Sequence, residues 1–263
     1  MNTSDTSNTD DIHEDVRSYY RAAADRATGA TDEAADGTTD RPAVASADTT
    51  ETDDVWGAGL YDDETLAEGS DAAAGLSMGC GNPFAVADLR PGETVLDLGS
   101  GGGLDVIVSA RRVAPDGKAY GVDFLPEMLE LARKNAAEAG VDNVEFLEGM
   151  IEDVPLPDGS IDVIISNCVI NLAPDKHPVL GEMARLLKPG GRVAVSDVVA
   201  EDGFVPPTGG DEWAECGAGG LERTRYLDLL REVGLVDASI ELTHETTPGL
   251  HAAIVRATKP AGG

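Results

Sequence analysis

The sequence predicts an α/β fold in which helices wrap a doubly wound, mostly parallel sheet of seven strands. From about residue 85, short apolar runs alternate with longer segments of helical periodicity, which is typical of β-α-β units. A glycine-rich segment directly follows the first apolar run, as at the strand-to-helix turn of such a unit. Right-handed connections then place the loops after the strands at one edge of the sheet, where open α/β sheets bind their ligands.

Seven segments carry the strand pattern. Ile161–Ser166 (IDVIIS) is apolar enough to be a central strand that is buried on both faces of the sheet. The predicted strands are Glu93–Leu98, Lys118–Val122, Val144–Leu147, Ile161–Ser166, Arg192–Val199, Ser239–Thr243 and His251–Ala257.

Helical periodicity marks the segments between these strands. The clearest example, Pro126–Ala139, has apolar side chains at every third or fourth position and ends at Gly140. The other helices predicted in this part are Asp105–Arg112, Val179–Leu187, which stops at KPGG, and Tyr226–Val233. A short helix is also predicted at Asp10–Asp25, with one side formed by Ile12, Val16, Tyr19 and Tyr20.

The charge balance excludes some classes of function. Acidic residues outnumber basic residues by 49 to 19, and the net charge is −30. This excludes a nucleic-acid-binding domain that relies on a basic surface, and it disfavours binding to anionic membranes. The acidic residues are spread along the chain and would repel one another at low salt, whereas at molar salt the Debye length falls to about 3 Å. With no signal-like or membrane-spanning run, we expect a protein of a salty cytoplasm.

The segment VLDLGSGGGLD predicts a ligand-binding loop. Gly99, Gly101 and Gly103 allow a sharp turn and a close approach of the backbone to a ligand, and Asp123 ends the next strand, where a carboxylate can hold both hydroxyls of a ribose. A tight turn without a ligand and a dinucleotide site are alternatives. The dinucleotide pattern expects glycine at position 104, which is Leu104 here, and Asp97 would repel a pyrophosphate. Asp97 suits the amino group of a methionine moiety, which favours S-adenosylmethionine.

On these motifs, roughly residues 75–200 resemble the class I S-adenosylmethionine-dependent methyltransferases. The resemblance implies that Asp97 and the glycines of the loop contact the methionine part and that Asp123 contacts the ribose. The stretch GMIEDVPLPDGSIDVI is similar to the family segment after the third strand. The cofactor-binding residues that the resemblance implies are Asp97, Gly99, Gly101, Gly103, Asp123, Ile151 and Glu152 near the adenine, and Asn167 after the fourth strand.

The chain has three cysteines in separate segments. Cys168 follows the fourth strand, at the ligand edge, while Cys80 and Cys216 lie in polar, glycine-rich segments that we expect to make poor core. Their wide spacing excludes a local zinc knuckle, and an odd number without an export signal disfavours a disulfide framework. A lone cysteine is more often an inert buried residue than a reactive one. Three converging thiolates, however, suit a soft, three-coordinate centre such as trivalent arsenic.

Four motifs together resemble the arsenite methyltransferases over about residues 55–235. They are SMGCGNP, SNCVINL with DK following, LKPGGR, and a cysteine within A-x-C-x-A-G. The resemblance implies that Cys168 and Cys216 are persistent arsenic ligands and that Cys80 is the third thiolate, needed for the first methyl transfer. It also implies arsenic detoxification by a monomer that uses a thioredoxin-like or small-thiol reductant. Many family members have a further cysteine nearer the N-terminus, whereas none precedes Cys80 here.

The resemblance divides the chain into three parts. Residues 1–54 are an acidic segment with the short helix and an aperiodic insertion at 28–54 that we expect to be mobile. Residues 55–200 are the cofactor-binding methyltransferase domain, and residues 201–263 are a small C-terminal portion that completes the sheet and the substrate site. Asp175 and Lys176 are predicted to be a solvated pair or the start of a helix.

Two other functions remain open from the sequence. One is methylation of a different small molecule, such as a quinone or a sterol, which would need an acid or a base at the ligand edge instead of three thiols. The other is a non-catalytic metalloid-binding module, which would keep the cysteines but could dispense with the cofactor contacts.

Overall fold

A computed structural model describes residues 3–28, 57–204 and 219–262. The insertion predicted at 28–54 lies outside the described residues, except for Thr28. The described chain forms one eight-stranded sheet with the order β3-β2-β1-β4-β5-β8-β7, and β6 pairs with β5. The strands are β1 (Thr94–Leu98), β2 (Lys118–Asp123), β3 (Val144–Glu148), β4 (Ile161–Asn167), β5 (Leu187–Ala200), β6 (Leu221–Glu222), β7 (Val236–Thr247) and β8 (Leu250–Thr258).

The predicted α/β fold is confirmed. Strands β1 to β6 pair in parallel, and β8 pairs antiparallel to both β5 and β7. All seven predicted strands are present, and β6 adds a two-residue strand that the sequence did not signal. The strand β5 starts at Leu187, earlier than predicted, because Leu187 pairs with Ile161 before a register shift. The backbone N–H of Gly190 donates to the Lys259 carbonyl, and the backbone N–H of Lys259 donates to the Gly191 carbonyl.

The predicted helices are also present. The first, α1, is longer than predicted, and its Ile12, Val16, Tyr19 and Tyr20 pack together into the interior as expected. No described helix is both long and apolar enough to cross a membrane. The α-helices are α1 (Thr3–Thr28), α2 (Asp63–Glu68), α3 (Asp71–Ala74), α4 (Phe84–Ala87), α5 (Leu104–Val113), α6 (Pro126–Ala139), α7 (Lys176–Leu186) and α8 (Arg223–Glu232).

The core consists of two layers, one on each face of the sheet. Successive residues of β4 alternate between them: Ile164 packs in the layer with α7 and α8, whereas Val163 and Ile165 pack in the layer with α5 and α6. Both faces of β4 are therefore covered, which explains why its sequence is almost continuously apolar.

The strand order reverses beside β1, because β2 lies on one side of it and β4 on the other. In open α/β sheets such a reversal leaves a crevice at the carboxyl ends of the strands. The loops that follow β1 and β4 meet at this crevice, so the glycine loop and the segment after Asn167 lie at the same edge.

The core of α7 should be sensitive to truncation. Leu180 is fully buried between α7 and the sheet, so Leu180→Ala removes apolar contacts and leaves a cavity. We expect the free energy of unfolding to fall by about 2–5 kcal/mol, measured by denaturant titration in concentrated KCl. Leu242→Ala, at a position that is 37% exposed, is the matched control and should cost less than about 1 kcal/mol. Equal losses in the two variants would contradict this packing.

Candidate active site

A cleft of about 1150 Å³ opens at the carboxyl ends of β1, β2 and β4. Its walls come from the glycine loop, from the segment 76–79 and from one side of α1. Most of the predicted cofactor residues line this single cleft. They are Asp97, Gly99, Gly101, Asp123, Ile151, Glu152 and Asn167, and Cys168 joins them.

The glycine loop has the shape that a close ligand contact needs. Gly99 has φ +73° and lies so close to Val169 that a Cβ would approach its Cγ2 to 2.5 Å. Gly101 has φ +47° and open space where a Cβ would be. Gly103 does not line the cleft; it begins α5 with φ +86° and packs against Ala132 and Phe146. The loop therefore presents bare backbone to the cleft.

Asp123 holds the loop from the neighbouring strand. Its Oδ2 accepts a hydrogen bond from the Gly101 N–H at 2.9 Å, and its Oδ1 accepts one from the Leu125 N–H at 3.0 Å. Burial raises the pKa of the Asp123 carboxyl, and these N–H groups oppose that effect. Each oxygen keeps a lone pair that can accept a further hydrogen bond, as a ribose diol would require.

Two further buried carboxyl groups give the floor of the cleft a strongly acidic character. Burial, together with Asp105 and Asp123, raises the pKa of Asp97 well above its usual range. Burial raises the pKa of Asp105 to about 6, while hydrogen bonds from Tyr61 and Asn167 and the charge of Arg112 act in the opposite direction. No described residue donates a hydrogen bond to Asp97. A cationic ligand at this position would relieve the repulsion between the carboxylates.

Asn167 connects the acidic floor to the first cysteine. Its Nδ2 donates to the Tyr61 hydroxyl at 2.8 Å, and that hydroxyl donates to Asp105 Oδ1 at 2.8 Å. The same amide group accepts the Cys80 N–H at 3.0 Å and donates to the Gly81 carbonyl at 2.7 Å. Asn167 therefore orders the Cys80 loop as well as facing the cleft.

Cys80 and Cys168 lie together beside the cleft. Both belong to one buried cluster, which we call the thiol cluster: Val16, Cys80, Cys168, Leu172, Val198, Ala200, Leu250 and Ala252. Cys80 is fully buried, so the expectation that its loop makes poor core is wrong. The apolar residues of α1, β5 and β8 cover a segment that is polar in sequence, and such long-range packing leaves no local signal.

Backbone conformation and contacts orient both thiols. Cys168 has φ +61°, a left-handed conformation that costs a residue with a side chain about 1–2 kcal/mol. Its N–H donates to the Ser196 carbonyl at 2.8 Å, and the Cys80 Sγ lies 3.9 Å from the Ser196 Oγ. One residue of β5 thus contacts both cysteine loops.

The third cysteine, Cys216, lies outside the described residues. In the parts of the chain that the structure describes, no three histidine, cysteine or acidic side chains are grouped so that they could hold a metal ion.

Known proteins show the same combination of fold and sequence. Residues 89–219 match a family described as a methyltransferase domain. The solved arsenic(III) S-adenosylmethionine methyltransferase of Chlamydomonas reinhardtii is 34% identical with a TM-score of 0.64, over 76% of this chain and 73% of that one.

The chain belongs to the arsenic(III) S-adenosylmethionine methyltransferase family.

Curated relatives of this family agree. The arsenite methyltransferase of Halobacterium salinarum is 45% identical over 71% of this chain, and that of Aquipseudomonas alcaligenes is 44% identical over 60%. The chain spans about half the length of these relatives, 48% in both cases. The class I methyltransferase fold expected from the sequence is confirmed for this family member.

This family member also has cleft residues that the sequence analysis missed. Helix α1 contributes His13, Arg17 and Tyr20 to the cleft, and His13 Nε2 lies 3.8 Å from Glu152 Oε1. Tyr61 and Asp105 were missed because their role depends on contacts across 44 positions of the chain. For Asp105 the sequence held one signal, because this acidic residue interrupts the apolar pattern of α5.

The Tyr61 hydroxyl should control the proton affinity of Asp105. Tyr61→Phe removes the 2.8 Å hydrogen bond that favours the ionised carboxyl, so the pKa of Asp105 should rise from about 6. We expect a rise of roughly one unit, measured by carboxyl NMR titration. Tyr226→Phe is the control, because its buried hydroxyl has no hydrogen-bond partner among the described residues. An unchanged or lower Asp105 pKa in Tyr61→Phe would refute this role.

Proposed function

We propose that this protein transfers methyl groups from S-adenosylmethionine to trivalent arsenic that is held by the thiolates of Cys80, Cys168 and Cys216. The observation that carries the proposal is that Cys80 and Cys168, 88 positions apart in sequence, meet in one buried cluster beside the cleft. The arsenite methyltransferase of Halobacterium salinarum and the arsenic(III) methyltransferase of Chlamydomonas reinhardtii, both relatives of this chain, support the same substrate.

The residues of the cleft fit the methyl donor. Asp97 offers a buried carboxyl group to which no described residue donates a hydrogen bond, and such a group suits the methionine ammonium. Gly101 leaves open space for the amino-acid part, and Asp123 has accepting capacity for the ribose. Ile151 and Glu152, beside His13, are proposed to contact the adenine. When bound, the donor would supply a methyl group already activated by its sulfonium.

The proposed role of the chain is to hold and orient arsenic. Three thiolates would leave the lone pair of arsenic free to form a bond to the methyl carbon, while the bond from that carbon to the sulfonium sulfur breaks and S-adenosylhomocysteine leaves. No proton has to leave arsenic, so no general base is needed. Bringing the two substrates together can lower the barrier by up to ~7–11 kcal/mol. We propose that an external thiol reductant completes the cycle.

Gly219 supports the inclusion of Cys216. This glycine, three positions after Cys216 in sequence, lies so close to the Asn171 carbonyl that a Cβ would come within 1.8 Å of its oxygen. Asn171 is itself three positions after Cys168. Gly219 and Asn171, each three positions after a cysteine in sequence, are therefore in contact at the carboxyl edge of the sheet.

The substitution of each cysteine by serine tests the proposed function. With arsenite, labelled methyl donor and a dithiol in concentrated KCl, Cys168→Ser should reduce methylated arsenic by roughly a hundredfold or more, because a hydroxyl does not replace a thiolate on a soft centre. Cys216→Ser should do the same, and Cys80→Ser should abolish the first methylation.

The donor site provides the internal control. All three serine variants should bind S-adenosylmethionine in calorimetry with wild-type affinity. Full methylation in all three variants would refute arsenic binding by these thiols. Methylation of a quinone by wild-type protein that does not methylate arsenite would favour the rival methyltransferase, and failure to bind the donor would favour a non-catalytic module.

Asp97→Asn should separate stability from donor binding. The raised pKa of Asp97 in the folded state means that this carboxyl opposes folding at any pH above about 4, the pKa of the unfolded chain. The unliganded variant should therefore have a higher Tm at pH 7, while its affinity for S-adenosylmethionine falls by roughly tenfold or more. Asp142→Asn, at an exposed position, should change neither quantity. A less stable variant with full donor affinity would contradict both expectations.

A further inference from the structure

Two buried residues of opposite charge lie near the thiol cluster but outside the cleft. Lys176, the first residue of α7, is only 7% exposed, and Asp197, near the end of β5, is 2% exposed. Of the two alternatives predicted for Asp175 and Lys176, the helix start is confirmed, because Asp175 caps α7 and Lys176 is its first residue, whereas Lys176 is not solvated. The mechanism proposed above uses neither Lys176 nor Asp197.

Both charges are aimed at the backbone of one loop. The Lys176 Nζ donates to the Asn171 carbonyl at 3.0 Å and to the Ala173 carbonyl at 2.6 Å. Asp197 Oδ2 accepts the Asn171 N–H at 3.1 Å, and its Oδ1 accepts the Val198 N–H at 2.9 Å. The backbone of Asn171 is therefore held at both polar groups: its N–H donates to Asp197, and its carbonyl accepts from Lys176.

The loop is packed into the core by the buried side chains of Ile170, Leu172 and Ala173. It comprises residues 169–173, and it starts directly after Cys168, whose left-handed backbone is unfavourable for a residue with a side chain. The side chain of Asn171 is buried, yet neither its oxygen nor its nitrogen has a hydrogen-bond partner among the described residues. Its own 3-10 turn bonds, Leu172 to Val169 and Ala173 to Ile170, close the loop but do not anchor it to the sheet.

We propose that Lys176 and Asp197 are positioning residues that anchor the loop 169–173 to β5 and thereby hold Cys168 in the conformation that binds arsenic. This inference rests on the proposed function and deepens it. The same loop contacts Gly219, so the pair also supports the position of this glycine.

The two charges stabilise each other at a site where burial disfavours both. Burial lowers the pKa of Lys176 to about 8, and the charge of Asp197 opposes that shift. Burial raises the pKa of Asp197 to about 7, and Lys176 opposes that shift as well as the N–H groups of Val198 and Asn171. Asp175 and Glu152 also favour the charge of Lys176, but removing one partner takes away the largest charge effect that stabilises the other, so the single variants should disturb the loop.

The chain offers a control pair that also has one member on β5. Lys188 and Asp162 pair at 2.6 Å and connect β5 with β4 at their amino ends, far from the thiols, and both side chains are partly exposed. Lys188→Met and Asp162→Asn therefore remove the same charges without touching the cysteine loop.

The experiment compares Lys176→Met and Asp197→Asn with these controls by calorimetry in concentrated KCl with a dithiol present. We expect the Kd and the KM for arsenite to rise at least tenfold in both variants, while the Kd for S-adenosylmethionine changes less than twofold. Amide hydrogen exchange of residues 169–173 should accelerate in the same variants. The control variants should match wild type in all three measurements.

The outcomes separate this inference from the proposed function. If wild-type protein neither binds nor methylates arsenite, the proposed function fails, and hydrogen exchange still reports whether the pair orders the loop. If wild type is active but Lys176→Met binds arsenite normally, or loses affinity for both substrates equally, the positioning role is overturned. Should a single variant not fold, Lys176→Met/Asp197→Asn, which leaves no uncompensated charge, is measured in the same way and judged by the same criteria.

Discussion

The pairing of β1 with β4 is the contact on which the site depends. Leu98 pairs with Ser166 at the ends of the two strands, and the Ser166 Oγ also donates to the Leu98 carbonyl at 2.9 Å. The next residues are Gly99, which follows β1, and Asn167, which ends β4. This register therefore places the glycine loop beside the residue that precedes Cys168. A slip of one residue would turn the Asn167 side chain to the other face of the sheet. The cleft, the Tyr61–Asn167–Cys80 contacts and the thiol cluster all follow from this register.

The acidic floor of the cleft explains how the fold favours a cation there. Asp97, Asp105 and Asp123 are buried close to one another, and each carries a raised pKa. The fold thus keeps groups that oppose its own stability, a pattern typical of functional sites. This acidity differs in origin from the net charge of −30. Salt screens exposed charges but acts weakly on buried ones, so high salt stabilises the surface without neutralising the cleft.

The sequence predicted what depends on local pattern, and it missed what depends on distant contacts. The nearly continuous apolar run Ile161–Ser166 and the glycines after β1 predicted the central strand and the donor loop, because a strand buried on both faces and a left-handed turn leave local signatures. The burial of Cys80 could not be predicted, since α1 and β8 cover it from opposite ends of the chain. For the same reason the sequence predicted the helix start at Lys176 but not its burial beside Asp197, which lies on β5, 21 positions away.

Two lysine–aspartate pairs, each with one member on β5, show how burial separates structural from functional roles. Lys188 and Asp162 join β5 and β4 at the amino ends in contact with water, where an ion pair contributes about 0–1 kcal/mol and can be lost with little effect. At the carboxyl ends, Lys176 and Asp197 lie in the interior, where desolvation of both charges exceeds what an apolar pair would cost. A fold that needed only stability at this point would be served by two apolar side chains. The buried charges instead provide strong hydrogen bonds to the backbone of a loop that has no regular pairing partner. The need for a fixed loop beside Cys168 is therefore the physical reason for a charge pair at this edge.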